Sequence, residues 1–278
     1  MDVASMFSLA AAMNAPDQAL LLAVATTFSF SLAIVVIAIP GLLRKMREGG
    51  MVGKNVNKPT RDEVPELGGI AALFGFSISL SIVVGVQKLV GDIAEPPYLA
   101  VISVFFIAAM VGLIDDISNI PQRLKMVGVA FAALPLMLVH LGTEVQFPFG
   151  STIALVGTTY FVYWLVLVPA GVSGVANAMN MSAGYNGLES GQITIVSASV
   201  LGIFLVRGGP DYPVIITAAL VGASLGLYAF NRYPAKVFVG DIGTLGMGAA
   251  LAAAIILGHI EVYGIIAILP AFYEGFAT

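Results

Sequence analysis

Nine apolar runs, each long enough to cross a bilayer, take up most of this chain and leave it little choice of fold. They fall near residues 18–40, 67–87, 97–114, 126–142, 152–172, 190–206, 213–230, 243–258 and 262–276. At 1.5 Å per residue, runs of roughly 17 to 23 residues cover about 25–35 Å, which matches a hydrocarbon core of about 30 Å. Glycine and alanine are frequent inside the runs, as close helix packing in lipid favours. The expected fold is all-α: a polytopic membrane helix bundle of about nine spans, forming one integral-membrane domain over residues 1–278. Only 10% of the 278 residues are charged, against about 25% in soluble domains, and the mean hydropathy is +0.98. There is no cysteine, which excludes disulfides, thiolate metal sites and cysteine nucleophiles. Residues before Asp17 lack a basic stretch, so no cleavable signal peptide is expected.

The basic residues orient the bundle. Odd-to-even connections hold Arg44, Lys45, Arg47, Lys54, Lys58, Arg61, Arg123, Lys125, Arg232 and Lys236, while even-to-odd connections hold only Lys88 and Arg207. Ten of the twelve Lys and Arg thus lie on one side. The positive-inside rule makes that side cytoplasmic and puts the N-terminus outside.

Three polar stretches fall on this same side, each where an apolar run ends or begins. The first is Asp115-Asp116-Ile117-Ser118-Asn119, after Val111-Gly112-Leu113-Ile114. An acidic residue at mid-membrane costs roughly 2.5–3.5 kcal/mol on insertion scales, and a helix C-terminus disfavours negative charge. A compensating cation is therefore implied, either a metal or Lys125. A solvated helix end accounts for an acidic pair about equally well.

The second runs from Asn177-Ala178-Met179-Asn180 through Gly184, Asn186 and Gly187 to Glu189. Asn and Gly make turns that expose backbone amides, and an Asn oxygen can ligate a hard metal. Asn177 and Asn180, at i and i+3, share one helix face. A plain loop would account for the glycines but not for this spacing.

The third is Val237-Phe238-Val239-Gly240-Asp241, where Asp241 suits the positive end of the helix it opens. Capping alone would explain Asp241 but not a second carboxylate site on one rim. In the first cytoplasmic connection, Lys58 lies beside Pro59-Thr60 and upstream of Gly68-Gly69, which makes it a candidate phosphate contact. Arg44, Lys45 and Arg47 serve equally as positive-inside charge or a contact for anionic lipid.

With these residues assembled, the chain resembles the polyprenyl-phosphate N-acetylhexosamine-1-phosphate transferase superfamily, over about Lys58 to Asp241. Bacterial members carry Asp-Gly-x-Asp-Gly-Leu in the middle motif. Here it reads Ala183-Gly184-Tyr185-Asn186-Gly187-Leu188-Glu189, similar to the eukaryotic and archaeal dolichol-linked branch, as are Asn119 and Lys125 at their spacings. The resemblance implies transfer of GlcNAc-1-phosphate from UDP-GlcNAc, a UDP-N-acetylhexosamine, to a polyprenyl or dolichyl phosphate, with release of UMP. It implies Mg²⁺, with Mn²⁺ as an alternative, on Asn180 and Asp241. It makes Asp115, Asp116 and Lys125 catalytic candidates. Lys58, Asn119, Asn177, Gly184, Asn186 and Glu189 become substrate-binding candidates. Its setting would be the cell membrane of a prokaryote or the endoplasmic reticulum of a eukaryote, with the bilayer as partner, a homodimer allowed and no nucleic acid. Relatives of this type carry a further cytoplasmic loop with a His/Arg motif and a tenth span, whereas this chain stops at Gly275-Phe276-Ala277-Thr278.

Two rival readings were weighed. An intramembrane aspartyl protease of the GxGD type needs glycine where Phe238 stands, and no Tyr-Asp pair occurs. A transporter for an anionic solute would explain intramembrane polar groups, but such sites gather near the midplane rather than at one rim.

Overall fold

The computed structural model describes residues 18–54, 63–91, 94–139, 142–147, 150–182 and 184–277. Helix α1 (Gln18–Glu48) is followed by a strand pair, β1 (Val52–Lys54) with β2 (Glu63–Pro65). Then come α2 (Gly69–Val90), α3 (Pro96–Ser118) and a short α4 (Gln122–Phe131). A second antiparallel pair, β3 (Glu144–Gln146) with β4 (Thr152–Ala154), precedes α5 (Thr158–Met181). Helices α6 (Leu188–Arg207), α7 (Asp211–Asn231), α8 (Gly240–Leu257) and α9 (Glu261–Ala277) complete the chain. Helices α1, α2, α3, α5, α6, α7 and α8 are each long and apolar enough to cross a membrane. Spanning segments must satisfy their backbone groups internally, which helices do and isolated strands do not. The two three-residue strand pairs are the only departure from an all-helical fold among the described residues.

The expected fourth span, 126–142, is not one helix. The chain enters α4 directly after Pro121, leaves it at Phe131, and makes a short 3-10 turn over Leu134–Leu138. Pro135 explains the break, since it has no N–H to donate and its ring crowds the carbonyl four residues back. The fifth expected span, 152–172, also shifts: Thr152–Ala154 is β4, and α5 begins at Thr158 and continues to Met181. Within α5 the residues Tyr163–Leu167 form a single π-turn.

Helix α8 is the axle of the bundle. It packs against α3, α5, α2 and α7, and every residue from Ile242 to Leu257 is buried. Small residues permit this crowding. A Cβ on Gly69 would stand 2.2 Å from Gly243 Cα, and one on Gly112 would stand 2.3 Å from the Asp241 carbonyl oxygen. Backbones of α2, α3 and α8 therefore touch where α8 begins, and that junction sets the position of Asp241.

Candidate active site

The first turn of α8 is clasped from two sides. Amides of Gly68 and Gly69, leading into α2, donate to the carbonyls of Phe238 (2.9 Å) and Val239 (2.8 Å), and the Phe238 amide donates to the carbonyl of Pro65 (2.8 Å). From α3, Asp116 accepts the Asp241 amide on Oδ1 (2.9 Å) and the Ile242 amide on Oδ2 (3.1 Å). Free amides at a helix N-terminus attract negative charge. The residue capping α8 is thus Asp116 from another helix, while Asp241 keeps its own side chain for other partners.

Those partners meet at Lys125. Its ammonium donates to Asp115 Oδ2 (2.7 Å) and to Asp241 Oδ2, and the residue is only 5% exposed. Asp115 Oδ1 accepts the amide of Ile120 (2.8 Å), which fixes the carboxylate over the end of α3. Asp241 Oδ1 accepts Asn180 Nδ2 (2.6 Å), and the same amide nitrogen donates to Thr244 Oγ1 (2.9 Å). Four expected site residues, Asp115, Lys125, Asn180 and Asp241, therefore form one connected group drawn from α3, α4, α5 and α8. The compensating cation expected beside the acidic pair is Lys125. Removing charges from water is costly unless they are paired and hydrogen-bonded, and here each charge has at least two partners.

The other expected residues are distributed around this group. Asn119 is exposed, closes α3 in the left-handed region (φ 48°), and its amide donates to the Asp115 carbonyl (2.8 Å). Asn177 is buried and its carboxamide is taken up by the bundle. It donates to the Ser173 carbonyl (2.8 Å) and accepts from Gln122 (3.3 Å), tying α5 to α4. Gly184 is exposed and Asn186 half-buried, in the turn before α6. Glu189, in the first turn of α6, has a buried Oε2 with no hydrogen-bond partner among the described residues. Lys58 lies outside the described residues.

Three residues that the sequence reading passed over matter here. Asn231, wholly buried, accepts the Gly187 amide (3.1 Å) and the Ser190 hydroxyl (2.7 Å) and donates to the Val237 carbonyl (3.0 Å). It locks the second motif to the third; its signal was a carboxamide closing an apolar run. Thr244 supports Asn180, and its signal was the i+3 spacing from Asp241. Glu66 packs over Gly53 of β1. Burial, reinforced by the charge of Asp241, pushes the Glu66 carboxyl above its ordinary range. Its signal was an acid beside the glycines that open α2.

Among the described residues no three His, Cys, Asp or Glu side chains form a ready metal-holding group. The atoms that hold Lys125 are nonetheless hard carboxylate oxygens, the type that Mg²⁺ prefers, while the neighbouring Asn180 turns its amide nitrogen toward Asp241. The ammonium held between Asp115 and Asp241 marks where this rim stabilises positive charge.

Fold and rim together define a class: an integral-membrane enzyme built as a helical bundle, with its polar centre at the ends of the spans. Comparison with known proteins gives the family. The model of glycosyl transferase family 4 matches residues 98–259. A protein of Saccharolobus solfataricus named UDP-N-acetylglucosamine–dolichyl-phosphate N-acetylglucosaminephosphotransferase is 32% identical over 253 residues, covering 90% of this chain and 75% of that protein. Its namesake in Sulfolobus acidocaldarius is 34% identical over 224 residues, covering 79% of this chain and 65% of the relative. A phospho-N-acetylmuramoyl-pentapeptide-transferase of a Thermoanaerobacter species is 30% identical over 273 residues, 92% of this chain and 82% of the relative. The chain belongs to glycosyl transferase family 4.

Proposed function

We propose that this chain transfers GlcNAc-1-phosphate from UDP-GlcNAc to a polyprenyl phosphate of the dolichyl type, releasing UMP, on the cytoplasmic face of its membrane. An oxygen of the lipid phosphate attacks the sugar-bearing phosphorus. The new P–O bond makes the lipid diphosphate, and the broken bond leaves its bridging oxygen on UMP. The reading rests above all on the linked group Asp115–Lys125–Asp241–Asn180, which joins all three polar motifs at one rim. Phosphoryl transfer asks mainly for positioning and charge neutralisation, and this group is made of those functions.

In this reading Lys125 neutralises the diphosphate, and Asp115 orients Lys125 and faces the incoming lipid phosphate. Asn180 and Asp241 would hold Mg²⁺ or Mn²⁺, which supplies Lewis-acid neutralisation of phosphate oxygens when bound. Asn119, Gly184, Asn186 and Glu189 would contact the nucleotide, and the unpartnered Glu189 oxygen suits a donor on that ligand. Asn177 acts through packing of α4 on α5.

An apolar cavity of about 290 Å³ between α5, α8 and α9 supports a lipid acceptor. It is lined by Val168, Gly171, Val175, Ile256 and Ile268 among others. Its lining runs from Tyr163 and Glu261 to Val175, so it would take an apolar chain within the bilayer and not the phosphate itself. The dolichyl branch is favoured over the muramoyl-pentapeptide branch by Ala183 and Asn186 and by the printed names of the two archaeal relatives.

The test is a transfer assay on the full chain in lipid nanodiscs, with radiolabelled UDP-GlcNAc and dolichyl phosphate. The expected result is labelled lipid and UMP in equal amounts, abolished by EDTA and restored by Mg²⁺. UMP release without lipid labelling, or preference for a muramoyl-pentapeptide donor, would overturn the assignment.

A further inference from the structure

We infer that Asp115 and Asp116 divide their work, with Asp115 facing the reacting groups and Asp116 serving as a positioning residue that acts through Asp241. Consecutive residues on a helix point about 100° apart, and here the two carboxylates take different partners. Asp115 turns to Lys125 and Ile120. Asp116 turns to α8 and spends one oxygen on each of two successive amides, those of Asp241 and Ile242.

Helix α8 needs such a partner. The residue at its N-cap position is Val239, which has no side-chain acceptor to offer, and no side chain of its own caps the helix. One turn earlier on α3, Gly112 lies against the same stretch of backbone, close enough that a Cβ would collide with the Asp241 carbonyl carbon and the Ile242 nitrogen. Helix α3 thus grips the Asp241 backbone at two points, Gly112 by contact and Asp116 by hydrogen bonds. With the backbone held there, the Asp241 carboxylate reaches Lys125 on one oxygen and Asn180 on the other. The inference rests on the reading of Asp241 as a cation ligand.

Asparagine separates a cap from a proton-accepting or charge-supplying carboxylate. It keeps one acceptor oxygen of the same reach, enough to cap one of the two amides, while its NH2 cannot accept the other and it cannot take up a proton at neutral pH. The full chain is compared with its Asp116→Asn and Asp116→Ala variants by three measurements. These are hydrogen exchange of the Asp241 and Ile242 amides without divalent cation, Mn²⁺ affinity by electron paramagnetic resonance, and the transfer rate.

For Asp116→Ala, exchange at those amides should rise and Mn²⁺ affinity fall, each by about tenfold or more, the scale of a lost cap. For Asp116→Asn, exchange at one of the two amides and the Mn²⁺ affinity should return to within about threefold of the parent, and transfer to within about tenfold. If Asp116→Ala fails to fold, Asp116→Ser, a shorter acceptor, takes its place. An Asp116→Asn variant with Mn²⁺ affinity restored but no transfer would overturn the inference, because the carboxylate itself would then be needed. A fall in thermal stability with Mn²⁺ affinity unchanged would also overturn it, leaving Asp116 a purely structural cap. Failure of the parent chain to bind Mn²⁺ would instead bring down the cation reading of Asp241, and this inference with it.

Discussion

The bundle carries polar side chains at both ends, and the two ends are built on different plans. At the motif rim one ammonium, Lys125, is shared by two carboxylates from different helices, and a carboxamide is held against one of them. At the opposite end no charge is shared between two carboxylates in the contacts that follow. Tyr163 donates its hydroxyl to Glu261 Oε1 (2.6 Å), and Arg207 donates to Gln146 (2.7 Å) while its guanidinium covers the Tyr263 ring at 4.7 Å. Each of these ties neighbouring elements together, as a brace does, with Glu261 Oε2 buried and unpartnered among the described residues. Packing two acids and an amide around one buried lysine is a poor way to gain stability, because the desolvation cost of buried charges rivals their attraction. The proposed phosphate and cation chemistry would account for a rim arranged at such cost.

The difference between the ends can be broken experimentally, beginning with an all-or-none effect. The chain contains no cysteine, so single cysteines report cleanly. In intact cells, Ser151→Cys at the braced end should react with an impermeant maleimide and Ser118→Cys at the motif rim should not; the reverse pattern would put the rim on the wrong side for a cytosolic nucleotide sugar. Next in size, Asp241→Asn should lower the transfer rate by at least about 10²-fold, the scale of removing a group that stabilises developing charge, while the protein still inserts. Lys125→Met should cut transfer by roughly tenfold or more yet tighten Mn²⁺ binding, since it removes a positive charge that competes for Asp241; weaker Mn²⁺ binding would show that Lys125 supports the cation site instead.

Changes at the braced end should be felt in stability and hardly in rate. Tyr163→Phe removes a hydrogen bond to a carboxylate, costing about 1.5–3 kcal/mol, read as a lower Tm, with transfer changed by less than about threefold. The smallest effect concerns Glu66. Its carboxyl lies above the ordinary 4.5 through burial first and the charge of Asp241 second. The folded state therefore favours the protonated form. That contribution is fully present at pH below 4.5 and is lost as pH rises through the higher folded value. Glu66→Gln should flatten the decline of Tm across that window, whereas an unchanged decline would mean other groups cause it.

Much of this architecture was legible in the amino-acid order, and the gaps have physical causes. Spans six to nine fall within about three residues of α6–α9 because their ends coincide with glycine, proline or charge. The third and fifth were cut short at 114 and 172, whereas α3 and α5 run to Ser118 and Met181. Hydropathy drops at Asp115, Ser173 and Asn177, but these side chains are satisfied by neighbouring groups, so the helix ladder continues beneath them. The break at Pro135 was in view but hidden by apolar residues on both sides. Pairwise identities within the site, such as Asp116 with the α8 amides rather than with Lys125, depend on which way a helix face turns, and three separated motifs do not encode that rotation individually.

The π-turn at Tyr163–Leu167 bears on that rotation. From within it, one line of buried positions steps by four residues, Trp164, Val168, Val172 and Ala176, toward Asn180. A helix of 3.6 residues per turn gains about 40° at each such step, and would carry Asn180 well round the cylinder from Trp164. One widened turn holds back about one residue, near 100°, and takes out most of that drift. The turn works as a phase adjuster set far from the chemistry. Removing Leu165 from within it should let the turn close as regular α-helix and keep the Asn180 amide in step with Asp241, whereas the same deletion beyond Leu167 should swing it out of step.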